Sequence, residues 1–105
     1  MKGKINWIDP WWHLKQCAIK DAIQRELACE VGPEHPLWQC ELSVIAKSEA
    51  NDDVIVQLGD GRFACIHLTW SGKIDSQPDQ FPSSMIFDNI ESLQIYMNEV
   101  AAQYA

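Results

Sequence analysis

The chain has 105 residues, 47% hydrophobic and 22% charged, with a formal net charge of −7, which predicts one globular domain over residues 1–105 and excludes a disordered chain. No apolar run reaches the roughly 20 residues of a membrane span, and "MKGKINWIDPWW" lacks an apolar signal core. The expectation is a cytoplasmic protein with no membrane partner and an open oligomeric state.

In chain order, "DPWWHLKQCAIKDAIQRELACEVGP" predicts a helix. Asp9 suits the N-cap and Pro10 the first helical position. Trp12, Ile19, Ile23 and Leu27 fall on one helical face, widened by Leu14, Ala18 and Ala22, while Lys20, Asp21, Gln24 and Arg25 lie largely opposite. Gly32 and Pro33 supply the stop. Leu42, Val44 and Ala46 alternate as in a strand, as do Val54, Val56 and Leu58. "GDG" at 59–61 is a hairpin turn, because Gly and Asp tolerate positive φ, and "RFACIHLTW" is the returning strand. Residues 71–83 form a loop, "SMIF" a short further strand, and a second helix starts near Asp88, with Glu91 completing a capping box. Ile90, Leu93, Met97, Val100 or Ala101, and Tyr104 recur at helical spacing. The predicted fold is α+β: an N-terminal helix, a three- to four-stranded antiparallel meander and a C-terminal helix, with both helices on one face of the sheet.

Charge is unevenly spread. Residues 1–48 balance six acids against six bases, whereas residues 49–105 hold nine acids against Arg62 and Lys73. This argues against nucleic acid as a partner, since that affinity comes from Lys and Arg on phosphates, and it suits a basic protein partner. Cys17, Cys29, Cys40 and Cys65 lack the close pairing of zinc ligands and lie among apolar neighbours. They read as reduced, mostly buried packing residues. Nucleotide-binding glycine loops and the nucleophile elbow G-x-S-x-G are both absent.

The chemistry-bearing stretch is "GRFACIHLTWSG" at 61–72. Alternation puts Ala64, Ile66, Leu68 and Trp70 on one face, the core face. Phe63, Cys65, His67 and Thr69 share the other, which is too apolar for a solvated face and so is covered by the long loop or by a partner. His67 reads first as a half-buried structural residue bonded to a carbonyl or carboxylate. As a catalytic group it would pair with Cys65, two positions away on the same face. A metal site would combine it with His13, His35, cysteines or Asp52 and Asp53, but no ligand spacing supports one; Asn51-Asp52-Asp53 reads as a turn. Of the adjacent Trp11 and Trp12, one is expected to be exposed.

"EVGPEHPL" at 30–37, "NDDVIVQLGDGRFACIHLTWSG" at 51–72 and "FPSSMIF" at 81–87 resemble a family of small bacterial proteins of uncharacterised function. The resemblance implies a compact stand-alone cytoplasmic domain and carries no catalytic residues. Together the features favour a small acidic protein-binding domain over an enzyme. Such a domain would act as an immunity-like inhibitor of a basic partner such as a nuclease toxin, without a cofactor or metal. Its expected contact residues are His67, Thr69, Trp70, Asp75, Asp79 and Phe81. The alternative is a small enzyme or ligand-binding protein that uses the His67 and Cys65 face under the 71–84 loop.

Overall fold

The computed structural model describes residues 5–14, 18–74, 76–77 and 79–104. It is an α+β fold in which the strands run as a single antiparallel meander, each paired with the next. The strands are β1 (Trp11–His13), β2 (Leu42–Ser48), β3 (Asp53–Leu58), β4 (Phe63–His67) and β5 (Ser83–Phe87); the helices are α1 (Ala18–Glu30) and α2 (Ile90–Tyr104).

The fifth strand corrects the expected three or four. It comes from the start of the predicted helix: Trp11, Trp12 and His13 pair with Ser48, Lys47 and Ala46 of β2. Asp9 and Pro10 are therefore a turn before a strand, not a helix cap. Aromatic residues favour a pleated, half-buried surface, and the strand buries Trp11 while exposing Trp12. Helix α1 ends at Glu30, just before Gly32 and Pro33; Gly32 does not take the positive φ of a glycine cap, but a Cβ there would meet the Ile74 side chain at 2.8 Å. Gln24 is not a solvent-facing residue. Its side chain donates to the Leu42 carbonyl and accepts from the Val44 N–H. These groups lie where β2 extends beyond β1, so Gln24 takes the place of a strand partner.

The helices lie on opposite faces of the sheet, which corrects the one-face arrangement. Ile23 and Leu27 of α1 pack with Val44, Val54, Val56, Leu58, Ala64, Ile66 and Leu68. Leu93 and Met97 of α2 pack with Trp11, Ala46, Ile55, Phe63 and Cys65. A bulge between Val44 and Ala46 lets β2 contribute to both layers. Thus the face of β4 carrying Phe63 and Cys65 is covered by α2, not by the long loop or a partner.

At the "GDG" turn, the Arg62 N–H and guanidinium both bond the Asp60 carboxylate, and the Leu58 N–H donates to the Arg62 carbonyl. The α2 cap is Asn89 rather than Asp88, because the Asn89 side chain accepts from the Ser92 N–H at 2.8 Å. No helix of the described residues is long and apolar enough to cross a membrane.

Candidate functional site

Two neighbourhoods hold the singled-out residues, one on each side of the end of β4. The first is built by strand register. His67 stands directly opposite Asp53 on β3 and Ser83 on β5. Its Nδ1–H donates to Asp53 Oδ1 at 2.7 Å, with the imidazole about half exposed. Asp53 is itself set by an Asx turn, its N–H donating to the Asn51 side chain. Asp53, Cys65, His67, Ser83, Ser84, Met85 and Tyr96 line an open cleft of about 300 Å3. His67 thus bonds a carboxylate, but it is exposed rather than buried in the structure, and Nε2 keeps no protein partner among the described residues.

Cys65 does not pair with His67. Its thiol donates to the Tyr96 hydroxyl at 3.8 Å. Burial, and then the nearby Asp53 charge, push that thiol up to about 12. Burial pushes the Tyr96 phenol up as well, followed by its Cys65 neighbour. The thiol is thus bonded to Tyr96 rather than to the imidazole with which the catalytic reading pairs it.

The second neighbourhood is the segment after β4. Trp70 is not on the core face, because the strand stops at His67 and the chain turns with Trp70 at φ 57. Leu68 is buried as expected, while the Trp70 side chain is 45% exposed. The Thr69 and Trp70 N–H groups donate to the two oxygens of Glu30, at 2.9 and 2.8 Å, and the Gly72 N–H donates to Glu26 at 2.8 Å. Glu30 is only 1% exposed. Burial raises its carboxyl above the ordinary range, and a side-chain bond with Glu26 raises it further, outweighing the backbone donors that lower it. Farther along, buried His35 accepts the Leu37 N–H at Nδ1, which leaves its proton on Nε2 to donate to the Pro82 carbonyl at 2.7 Å. The stretches "EVGPEHPL", "HLTW" and "FP" are thus tied together by Glu30 and His35.

Of the expected contact residues, Asp75 lies outside the described residues, and Asp79 and Phe81 are exposed. His67 and Cys65 share the cleft; Thr69 and Trp70 share the Glu30 clamp. Sequence reasoning missed Glu30, Glu26, Ser83 and Tyr96, whose roles arise from long-range register and packing. Among the described residues no three His, Cys, Asp or Glu side chains gather as a metal site, so His13 and His35 do not join His67. His13 instead stacks on Trp7. Cys29 is exposed, a correction to its packing role; Cys40 is partly buried, Cys65 is buried, all three are free thiols, and Cys17 lies outside the described residues. Comparison with family models, curated proteins and solved structures found no match.

Proposed function

We propose that this chain is a small acidic, non-enzymatic protein-binding domain that receives a basic protein partner on its C-terminal half, in the manner of an immunity protein occluding a basic toxin. One observation carries the reading: the same half exposes both unneutralised acids and large apolar side chains. Glu49, Asp52, Asp79, Asp88, Glu91 and Glu99 are exposed and make no ion pair among the described residues, while Arg62 is already paired with Asp60. Trp70, Ile74, Phe81, Met85, Ile86 and Ile95 are exposed in the same half. Apolar anchors with surrounding charge are the composition of protein interfaces, where anchors slow dissociation and charges steer approach. The test is affinity capture with the chain held by its N-terminus, comparing the parent with Asp79→Lys/Glu91→Lys/Glu99→Lys. The expected result is a basic protein captured by the parent, released by salt and lost by the variant. A partner indifferent to those three charges would overturn the reading.

A second reading, a small enzyme or ligand-binding protein at the His67 cleft, is favoured by the Asp53-oriented imidazole opposite Ser83. It rests first on His67, since the buried Cys65 thiol bonds the Tyr96 hydroxyl rather than the imidazole. A small-molecule activity that persists without any protein partner and vanishes in His67→Ala would establish it.

A further inference from the structure

Asp53, His67 and Ser83 stand in one row across β3, β4 and β5, each the register partner of the next. The bonds from the Leu58 N–H to the Arg62 carbonyl and from the Leu68 N–H to the Asp52 carbonyl mark the hydrogen-bonded pairs of the β3–β4 ladder. By alternation, Asp53 and His67 form a pair without backbone bonds, Cα atoms about 4.5 Å apart, and His67 and Ser83 a bonded pair at about 5.5 Å. Directly opposite side chains share a face, and all three line the same cleft. The imidazole spends Nδ1 on Asp53, and its ring turns Nε2 away from that carboxylate. Ser83 is exposed, and its hydroxyl makes no hydrogen bond among the described residues. One row farther in, the Tyr96 hydroxyl accepts from the Cys65 thiol, so its own proton is uncommitted. Burial holds that phenol above its usual range, and it stays a donor.

Deepening the second reading, on which it rests, we infer that this row is a serine acyl-transfer site for small neutral carboxylic esters. Ser83 is the nucleophile, His67 the general base and then acid, Asp53 the positioning residue and Tyr96 the oxyanion donor. Nε2 takes the Ser83 proton as Oγ bonds the ester carbonyl carbon, and the carbonyl electron pair moves onto oxygen, where the phenol donates to it. The pair returns, the C–O bond to the alcohol breaks, and Nε2 gives its proton to the leaving alkoxide. Water then repeats these steps on acyl-Ser83, which releases the carboxylic acid and restores the hydroxyl. The open cleft and its exposed Met85 wall suit a short acyl chain, and Asp53 disfavours an anionic one. Where this holds, the chain is an enzyme and the non-enzymatic reading gives way.

The test offers p-nitrophenyl acetate and phenylmethanesulfonyl fluoride to the full chain. The parent is expected to hydrolyse the ester and to carry the sulfonyl group on Ser83, located by peptide mass spectrometry. Ser83→Ala and His67→Ala, both at exposed positions, should each lower kcat/KM by about 10²–10⁴-fold, and His67→Ala should lose the adduct. Tyr96→Phe should lower kcat with KM nearly unchanged, as for a contact made only in the transition state. Asp53→Ala should slow sulfonylation of Ser83 in a chain that still folds, and Asp53→Glu should restore part of the rate. Hydrolysis that needs His67 but ignores Ser83 overturns the serine step and leaves the second reading, with the imidazole acting on water. Hydrolysis that is absent or indifferent to His67 overturns the proposal and removes the enzyme reading with it.

Discussion

The two sides of the sheet at the end of β4 use polar groups in opposite ways. On the α1 side, Glu30 and His35 are buried and their polar atoms are engaged by backbone groups, those of Thr69, Trp70 and Pro82 and, at His35 Nδ1, the Leu37 N–H. On the α2 side, His67 and Asp53 bond each other at the mouth of an open cleft, and Nε2 is left over. Buried polar groups that are fully satisfied fix one arrangement of the chain. An exposed pair with spare capacity contributes little to stability and is available to a ligand or partner.

The largest losses of stability are expected in the apolar layers beneath each side. Leu27→Ala on α1 and Met97→Ala on α2 are each expected to cost about 2–5 kcal/mol in chemical denaturation, because both side chains are fully buried. A cheap Met97→Ala would mean that α2 does not form a core layer. Leu68→Ala should cost about as much, and far more than Thr69→Ala, whose side chain is exposed.

The next effect concerns Glu30. Glu30→Ala leaves the Thr69 and Trp70 N–H groups without their acceptor, and a loss of about 1–3 kcal/mol is expected. Its pH dependence has a definite sign. Because burial and Glu26 raise the folded-state pKa of Glu30, the folded chain holds a proton that the unfolded chain has released. Stability from this group is fully present below the unfolded value and is lost as pH rises through the folded one. Glu30→Gln does not titrate, so its stability relative to the parent should improve as pH rises across that window. Thermal unfolding of both proteins as a function of pH, from below the ordinary carboxylate range upward, measures this, and an opposite slope would mean that the carboxylate is stabilised rather than strained by its site.

Sequence reading succeeded where the signal was local. At the hairpin, Gly61 takes the positive φ and Asp60 holds Arg62 through its carboxylate, and Gly32 with Pro33 follow closely on the end of α1. It failed where one pattern serves two structures. "WWHL" suits the face of a helix and equally a short strand with alternating burial, and only the availability of the β2 edge decides between them. The two-sided covering is also written in the sequence. Phe63, Ala64, Cys65 and Ile66 are apolar in succession, and all four are buried. A strand with both faces apolar calls for a layer on each side. His67 stood out by residue type. Its partner Asp53 depends on register, fourteen positions away, and Glu30 looked like one charge among several on a polar helix because its donors lie forty residues on.

The smallest expected change in stability is at His67, and it sharpens the contrast most. The Asp53–His67 contact is short, but the imidazole is about half exposed, and ion pairs in such settings contribute roughly 0–1 kcal/mol. His67→Ala should therefore shift denaturation by no more than about 1 kcal/mol, far less than Met97→Ala on the same face of the sheet. Asp53→Asn should behave likewise, since the amide oxygen still accepts from Nδ1–H. If the cleft belongs to the partner-binding surface, His67→Ala should instead raise the dissociation rate of the captured basic protein while its association rate, set by the acidic rim, stays nearly constant. A large loss of stability in His67→Ala would put the two sides of β4 on the same footing, with His67 as structural as His35. Unchanged stability with unchanged dissociation would place the contact surface on the Trp70 side alone.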